Sequence, residues 1–275
     1  MAAAERFRAH RELWRAMRRD AHRAPRLALR RLRHDLVTRY RTSRLGLAVA
    51  FVPAIVVTLW ATLAYQARVI TVGSLAIPYP AWVLLSVVLW QVFVEALTSQ
   101  VDGLAAERQL LAKVDLPAEA LILARLGETL VQYALKLVLV VVVLLLFKVR
   151  LAPTALLLPL LALPIAAFGT ACGLCCAPLA ALVPDLARAL PALTTVAFFL
   201  TPVVFPVPQA GVLRFLVLAN PVTPLLGFAR DLAVAGILSH PAGALGAATL
   251  TALLLPAGWF FYRLALPYVF ERNGG

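Results

Sequence analysis

The chain has 275 residues, 62% of them hydrophobic and only 14% charged, with a formal net charge of +13. A soluble domain is typically about a quarter charged and about half apolar, so continuous apolar stretches of membrane length decide the class: an all-α polytopic membrane protein. A β-barrel is disfavoured because the runs do not alternate, and the charge distribution argues against nucleic-acid binding.

Of 26 Lys and Arg, 14 fall in the first 44 residues, every one an Arg. The positive-inside rule expects such a segment on the cytoplasmic side of a first span. Within residues 1–44, Phe7, His10, Trp14, Met17 and Ala21 recur at spacings of three and four, with arginines such as Arg15 and Arg18 on the remaining faces. This pattern predicts a basic amphipathic helix in the headgroup plane, an interface or gate region anchored by Trp14 and in contact with membrane lipids. The charged region is too long for a signal peptide, and Pro25 is expected to separate the helix from a second one over 27–40.

A six-span membrane domain, 45–266, is expected next. The first span is 45–65, followed by a short outer loop, and the second is 81–98. Residues 102–124 then form the longest polar break between apolar runs. Glu107, Arg108, Gln109, Lys113 and Asp115 alternate there with Leu104, Leu110, Leu111 and Val114, and Pro117 ends the pattern. A short charged helix between two spans is shaped to be gripped from outside the membrane; the bland alternative is a solvated loop.

The third span, 125–147, carries Glu128, Gln132 and Lys136 at i, i+4 and i+8, so they share one face. A charge at mid-membrane costs about 2.5–3.5 kcal/mol on insertion scales, so this face should meet protein or water, either lining a polar path or gluing helices. Glu95, near the inner end of the second span, is expected to pair with Arg125 or to face an entrance. Residues 151–183, with Pro153, Pro159, Pro164 and Pro178, read as one kinked span, and 189–205 as the fifth. The broken apolar stretch 206–240 suits two short re-entrant helices in the outer leaflet. The last span covers 241–266, kinked at Pro256, and a short tail, 267–275, follows. Six spans put both termini in the cytoplasm. The basic residues agree, with 20 on the inner segments against 5 on the outer ones, Lys136 lying within a span.

Cys172, Cys175 and Cys176 lie in an apolar run without His or acidic neighbours, which suits packed small residues better than a metal site. The three lysines, Lys113, Lys136 and Lys148, follow no G-x-x-x-x-G-K-[ST] loop, so the chain carries no ATPase site of that kind. No HExxH, GxSxG or paired-carboxylate constellation is present, and no enzyme is expected.

Four stretches in order resemble the membrane subunits of ABC-2 type exporters of polysaccharides such as O-antigen, teichoic acid and capsule-like polymers. They are DLVTRYRTSRLGLAVAFVPAI (35–55), LLAKVDLPAEAL (110–121), VPDLARALPALTTVAFFLTPVVFPV (183–207) and NPVTPLLGFARDLAVAG (220–236). Leu116, where the family pattern has an aromatic before Pro117, and the long N-terminal segment depart from it. The resemblance implies a homodimer in a bacterial inner membrane, working with two copies of a separate nucleotide-binding subunit. ATP and Mg would sit on that partner and no cofactor on this chain. It further implies that Glu107, Arg108, Gln109, Lys113, Asp115 and Pro117 contact the ATPase, and that the cargo is a lipid-linked or phosphate-linked polysaccharide. Sugar polymers are held by aromatic faces and hydrogen-bonding groups, which makes Trp60, Trp90, Phe93, Phe198 and Phe199 candidates for the path. The rival expectations are an ABC-2 exporter of small hydrophobic molecules or ions, a membrane enzyme acting on lipid-linked sugars, and a proton-coupled transporter.

Overall fold

The computed structural model describes residues 2–42, 46–73, 75–113, 117–149 and 152–271. Side chains within helices are described except at 2–16, 18, 39–42, 46–49, 107–113 and 270. The described residues form helices and no strands: α1 Ala2–Thr42, α2 Gly46–Gln66, α3 Tyr79–Lys113 and α4 Ala118–Leu146. After a 3-10 turn at Pro153–Leu157 come α5 Leu158–Leu161, α6 Leu163–Leu182, α7 Pro184–Phe199, α8 Gly211–Ala219, α9 Val222–Val234 and α10 Pro241–Glu271.

The central helix is α3. Every residue from Ala81 to Trp90 is buried, because α2, α4, α6, α7 and α9 all pack around it. Its closest neighbour is α6, and sequence explains the approach. A Cβ on Gly169 would lie 2.5 Å from the Phe93 carbonyl oxygen, and one on Gly173 would lie 2.6 Å from that of Leu97. Small residues four apart let membrane helices touch backbone to backbone, where dispersion and packing replace the missing hydrophobic drive. α6 and α10 meet in a similar way at Gly258, which faces the Ala171 carbonyl and the Cys175 sulfur. The cysteine cluster therefore belongs to helix packing.

Two expectations about element boundaries are corrected. No break occurs at Pro25: α1 is one helix of 41 residues. Proline removes one hydrogen bond and costs about 3 kcal/mol in a helix interior, but Pro25 is exposed while Ala24 and Ala28 are buried on the packed face, so tertiary contact with α4 offsets the loss. The helix accordingly follows α4 rather than lying apart from it, with Leu32 seated at Gly127. The charged break is also not a separate short helix. α3 runs unbroken for 35 residues to Lys113, about 52 Å, well beyond the roughly 30 Å hydrocarbon layer.

Among the described residues, four helices are long and apolar enough to cross a membrane: Tyr79–Ala106, Ala118–Leu146, Pro153–Leu182 and Pro241–Val269. The third of these contains the prolines at 153, 159 and 164, which fall among the short 3-10 and α segments at one end, and Pro178, which lies inside α6. A shorter apolar helix covers Ala50–Gln66. α7 has 16 residues; it starts at Pro184 and stops at Phe199, earlier at both ends than the expected fifth span. Pro184 at the first position presets the start.

α8 and α9 form the expected bent pair, meeting at 82°. Asn220 fixes the corner: its side-chain oxygen accepts the Val222 N–H at 3.0 Å, and its amide donates to Thr201 Oγ1 at 2.7 Å. Arg230 of α9 then pins the hairpin to α3, donating to Ser86 Oγ at 3.1 Å and to the Pro202 carbonyl at 3.0 Å, with its guanidinium 4.5 Å above the Trp82 ring. At this hairpin end, α2 and α4 finish alike. Arg68 (φ 59°) and Lys148 (φ 50°) take the left-handed conformation, and the following N–H groups, of Val69 and Val149, return to the Ala64 and Leu144 carbonyls. A cation at such a C-cap favourably meets the helix dipole, which gives Lys148 a local reason to be on the side expected to be poor in positive charge.

Candidate functional site

Three features gather where α3 and α4 leave the apolar layer toward residues 107–116. The first is built on Glu119. Pro117 precedes α4 in extended conformation, placing Glu119 in the first helical turn, where the helix dipole favours an anion. Glu119 is buried and accepts a bidentate pair from Arg263 of α10, Nε to Oε1 at 2.7 Å and Nη2 to Oε2 at 2.8 Å. Trp259 Nε1 donates to the same carboxylate at 3.0 Å, and Arg263 also binds Asp20 of α1. One arginine thus ties α1, α4 and α10 together at the base of the polar loop.

The second feature is a polar cavity of about 440 Å³ between α3 and α4. α3 supplies Glu95, Thr98, Ser99 and Asp102, and α4 supplies Arg125, Glu128, Thr129 and Gln132. Arg125 donates to Glu128 at 3.1 Å, while Lys136, one turn beyond Gln132, is buried in an ion pair with Glu95. The expected stripe therefore divides. Glu128 and Gln132 open on the cavity, whereas Lys136 binds helix to helix. Of the two roles expected for Glu95, pairing with Arg125 is replaced by pairing with Lys136, and the carboxylate also lines the cavity.

The third feature is α1 itself. Arg19, Arg23, Arg26, Arg30 and Arg33 are all exposed and fall on one stripe, opposite the buried Met17, Ala24 and Ala28. Such a stripe suits anionic headgroups or another polyanion.

The aromatic candidates lie elsewhere, between α2, α3 and α7. Trp60, Phe198 and Phe199 line an apolar groove of about 400 Å³ with Val56, Ile70 and Phe205, and Trp90 reaches its neighbour beside Gln91, Thr194 and Thr195. Trp60 and Phe199 are exposed. Phe93 is not brought to the groove; it is buried and stacks on Phe168 at 5.8 Å. The side chains of Glu107, Arg108, Gln109, Lys113 and Asp115, and those of Phe7, Trp14, Arg15 and Arg18, lie outside the described residues. Pro117 is half-buried at the start of α4.

Sequence reasoning missed Glu119, Asp20, Trp259 and Asp102 as site residues. The available signal was Arg263, the only charged side chain between Pro241 and Val269, since an arginine among apolar residues of a span requires a partner.

This arrangement of apolar spans and bent pair is that of a multi-pass membrane protein. Residues 31–232 match the family described as ABC-2 type transporter, and the chain belongs to that family. It is a permease component without an ATPase site of its own, and permeases of this family work with an ATPase partner. No curated protein matches the chain.

Proposed function

We propose that this chain is the membrane subunit of an ABC exporter that carries a lipid-linked or phosphate-linked polysaccharide from the cytoplasm across a bacterial inner membrane. It works as a homodimer with two copies of a nucleotide-binding subunit, both termini lying in the cytoplasm. The observation that carries this reading is the polar cavity between α3 and α4. Its hydroxyls at Thr98, Ser99 and Thr129, amide at Gln132 and carboxylates at Glu95, Asp102 and Glu128 are the hydrogen-bonding groups a hydroxyl-rich cargo needs and a hydrophobic one does not. Residues 107–115 are the handle the ATPase grips, and the Arg263 hub passes its motion to α1 and α10. The arginine stripe of α1 gathers the anionic linkage of the cargo. The apolar groove of Trp60, Phe198 and Phe199 favours the rival cargo, a small hydrophobic molecule.

Removing the chain from its host separates the two. Loss of an exported polysaccharide, with the lipid-linked polymer accumulating inside, is the expected result. An unchanged cell-surface polymer together with new sensitivity to hydrophobic compounds would favour the rival.

A further inference from the structure

The end of the bundle opposite the polar loop holds a second cavity, of about 670 Å³, within the range of small-ligand sites. It is walled by α8, α9, the segment that follows α9, and the first turn of α10. The hub, the α3–α4 cavity and the aromatic groove lie apart from it.

Its cations differ from those buried between the spans. Arg125, Arg263 and Lys136 each sit against a carboxylate. The two arginines of this cavity do not. Arg230 donates to the Ser86 hydroxyl and the Pro202 carbonyl, and Arg214 donates to the carbonyls of Gln209 at 3.0 Å and Pro208 at 3.4 Å. Neutral acceptors thus hold both guanidinium groups in place, and the adjacent Asp231 offsets only part of the Arg230 charge. The one acid on the wall, Asp231, spends Oδ2 on the Ser239 N–H at 2.8 Å. Two fixed cations therefore outnumber one carboxylate, and His240 and the Ser239 side chain complete the polar lining. Phe228 adds an aromatic wall, and the positive end of the 31-residue α10 adds to the same potential.

We propose that this cavity binds an acidic sugar residue, taking its carboxylate or phosphate between Arg214 and Arg230 while Phe228 meets the ring. The proposal rests on the polysaccharide-export reading and narrows it: the polymer carries acidic groups, and this site receives them on the outer side.

The test uses the full-length chain in phosphatidylcholine nanodiscs, with tetragalacturonate as probe and maltotetraose as neutral control. Expected are saturable binding of tetragalacturonate that weakens as salt rises, and much weaker binding of maltotetraose. Arg214→Gln and His240→Gln should each weaken binding, and Asp231→Asn should tighten it. That gain cannot come from misfolding. Equal binding of the two tetrasaccharides, or affinity indifferent to all three substitutions, would overturn the proposal. So would complete displacement of the probe in phosphatidylglycerol nanodiscs, which would make the cavity a lipid-headgroup site. ATP-driven export of a neutral polymer by a chain that fails to bind tetragalacturonate would remove this site and leave the export reading standing.

Discussion

Arg263 is the residue on which the packing of the polar-loop end depends. Its side chain and that of Glu119 are 17% and 5% exposed, so the charges are largely removed from water and each relies on the other. Removing Glu119 takes away the bidentate partner of Arg263 and leaves it Asp20, at a cost of up to about 3–5 kcal/mol. Glu119→Ala should therefore lower the melting temperature sharply. The exchanged pair Glu119→Arg with Arg263→Glu should recover part of the loss, because the attraction is rebuilt with altered geometry. Trp259, hydrogen-bonded to Glu119, makes intrinsic fluorescence a direct reporter in detergent. A melting temperature unchanged by Glu119→Ala would show that the hub is not structural. At this scale the sequence was only partly readable. The i, i+4, i+8 placement of Glu128, Gln132 and Lys136 was visible because helical periodicity fixes which residues share a face. That Lys136 would choose Glu95, 41 residues away, was not, since pairing across helices depends on their rotation and depth.

Among the elements, α3 and α6 are the pair whose contact the sequence dictates most closely. Gly169 and Gly173 spell a G-x-x-x-G spacing, and each faces a carbonyl of α3 at a distance no Cβ can share. Gly169→Ala and Gly173→Ala should each destabilise by about 1–3 kcal/mol through overpacking. Gly246→Ala, with nothing within 4 Å of its Cβ, should stabilise α10 by up to about 1 kcal/mol through helix propensity alone. Thermal unfolding of the three variants checks the contrast, and equal effects would contradict the close approach. The G-x-x-x-G spacing stands beside the cysteines in the sequence, but spacing alone does not say which helix it faces. The ends of α1 and α3 were less legible. Pro25 and the change to polar composition after Ala106 both suggested breaks, and in both places helical continuity prevailed. Local propensity is a weak prior where a long helix packs along most of one face. Apolar length, by contrast, made α4 and the bent pair α8–α9 readable, because neither half of that pair reaches across a bilayer.

For the molecule as a whole, the charge asymmetry and the run of apolar segments already implied a polytopic membrane protein, and membership of the ABC-2 family agrees with that. What composition could not supply is how the loop, α1 and the last span connect. The geometry does so through Asp20, Glu119 and Arg263, within a few residues of the loop proposed as the handle. Force applied at residues 107–115 would enter α4 at Glu119 and reach α1 and α10 directly. The most direct test of this coupling is ATP-driven uptake of lipid-linked polysaccharide into inside-out membrane vesicles. The vesicles carry the partner ATPase together with either the native chain or a Glu107→Lys, Arg108→Glu variant. The expected result is ATP-dependent uptake with the native chain and loss of most of it with the variant, both proteins remaining in the membrane. Uptake undiminished by the double charge reversal would contradict the proposed handle.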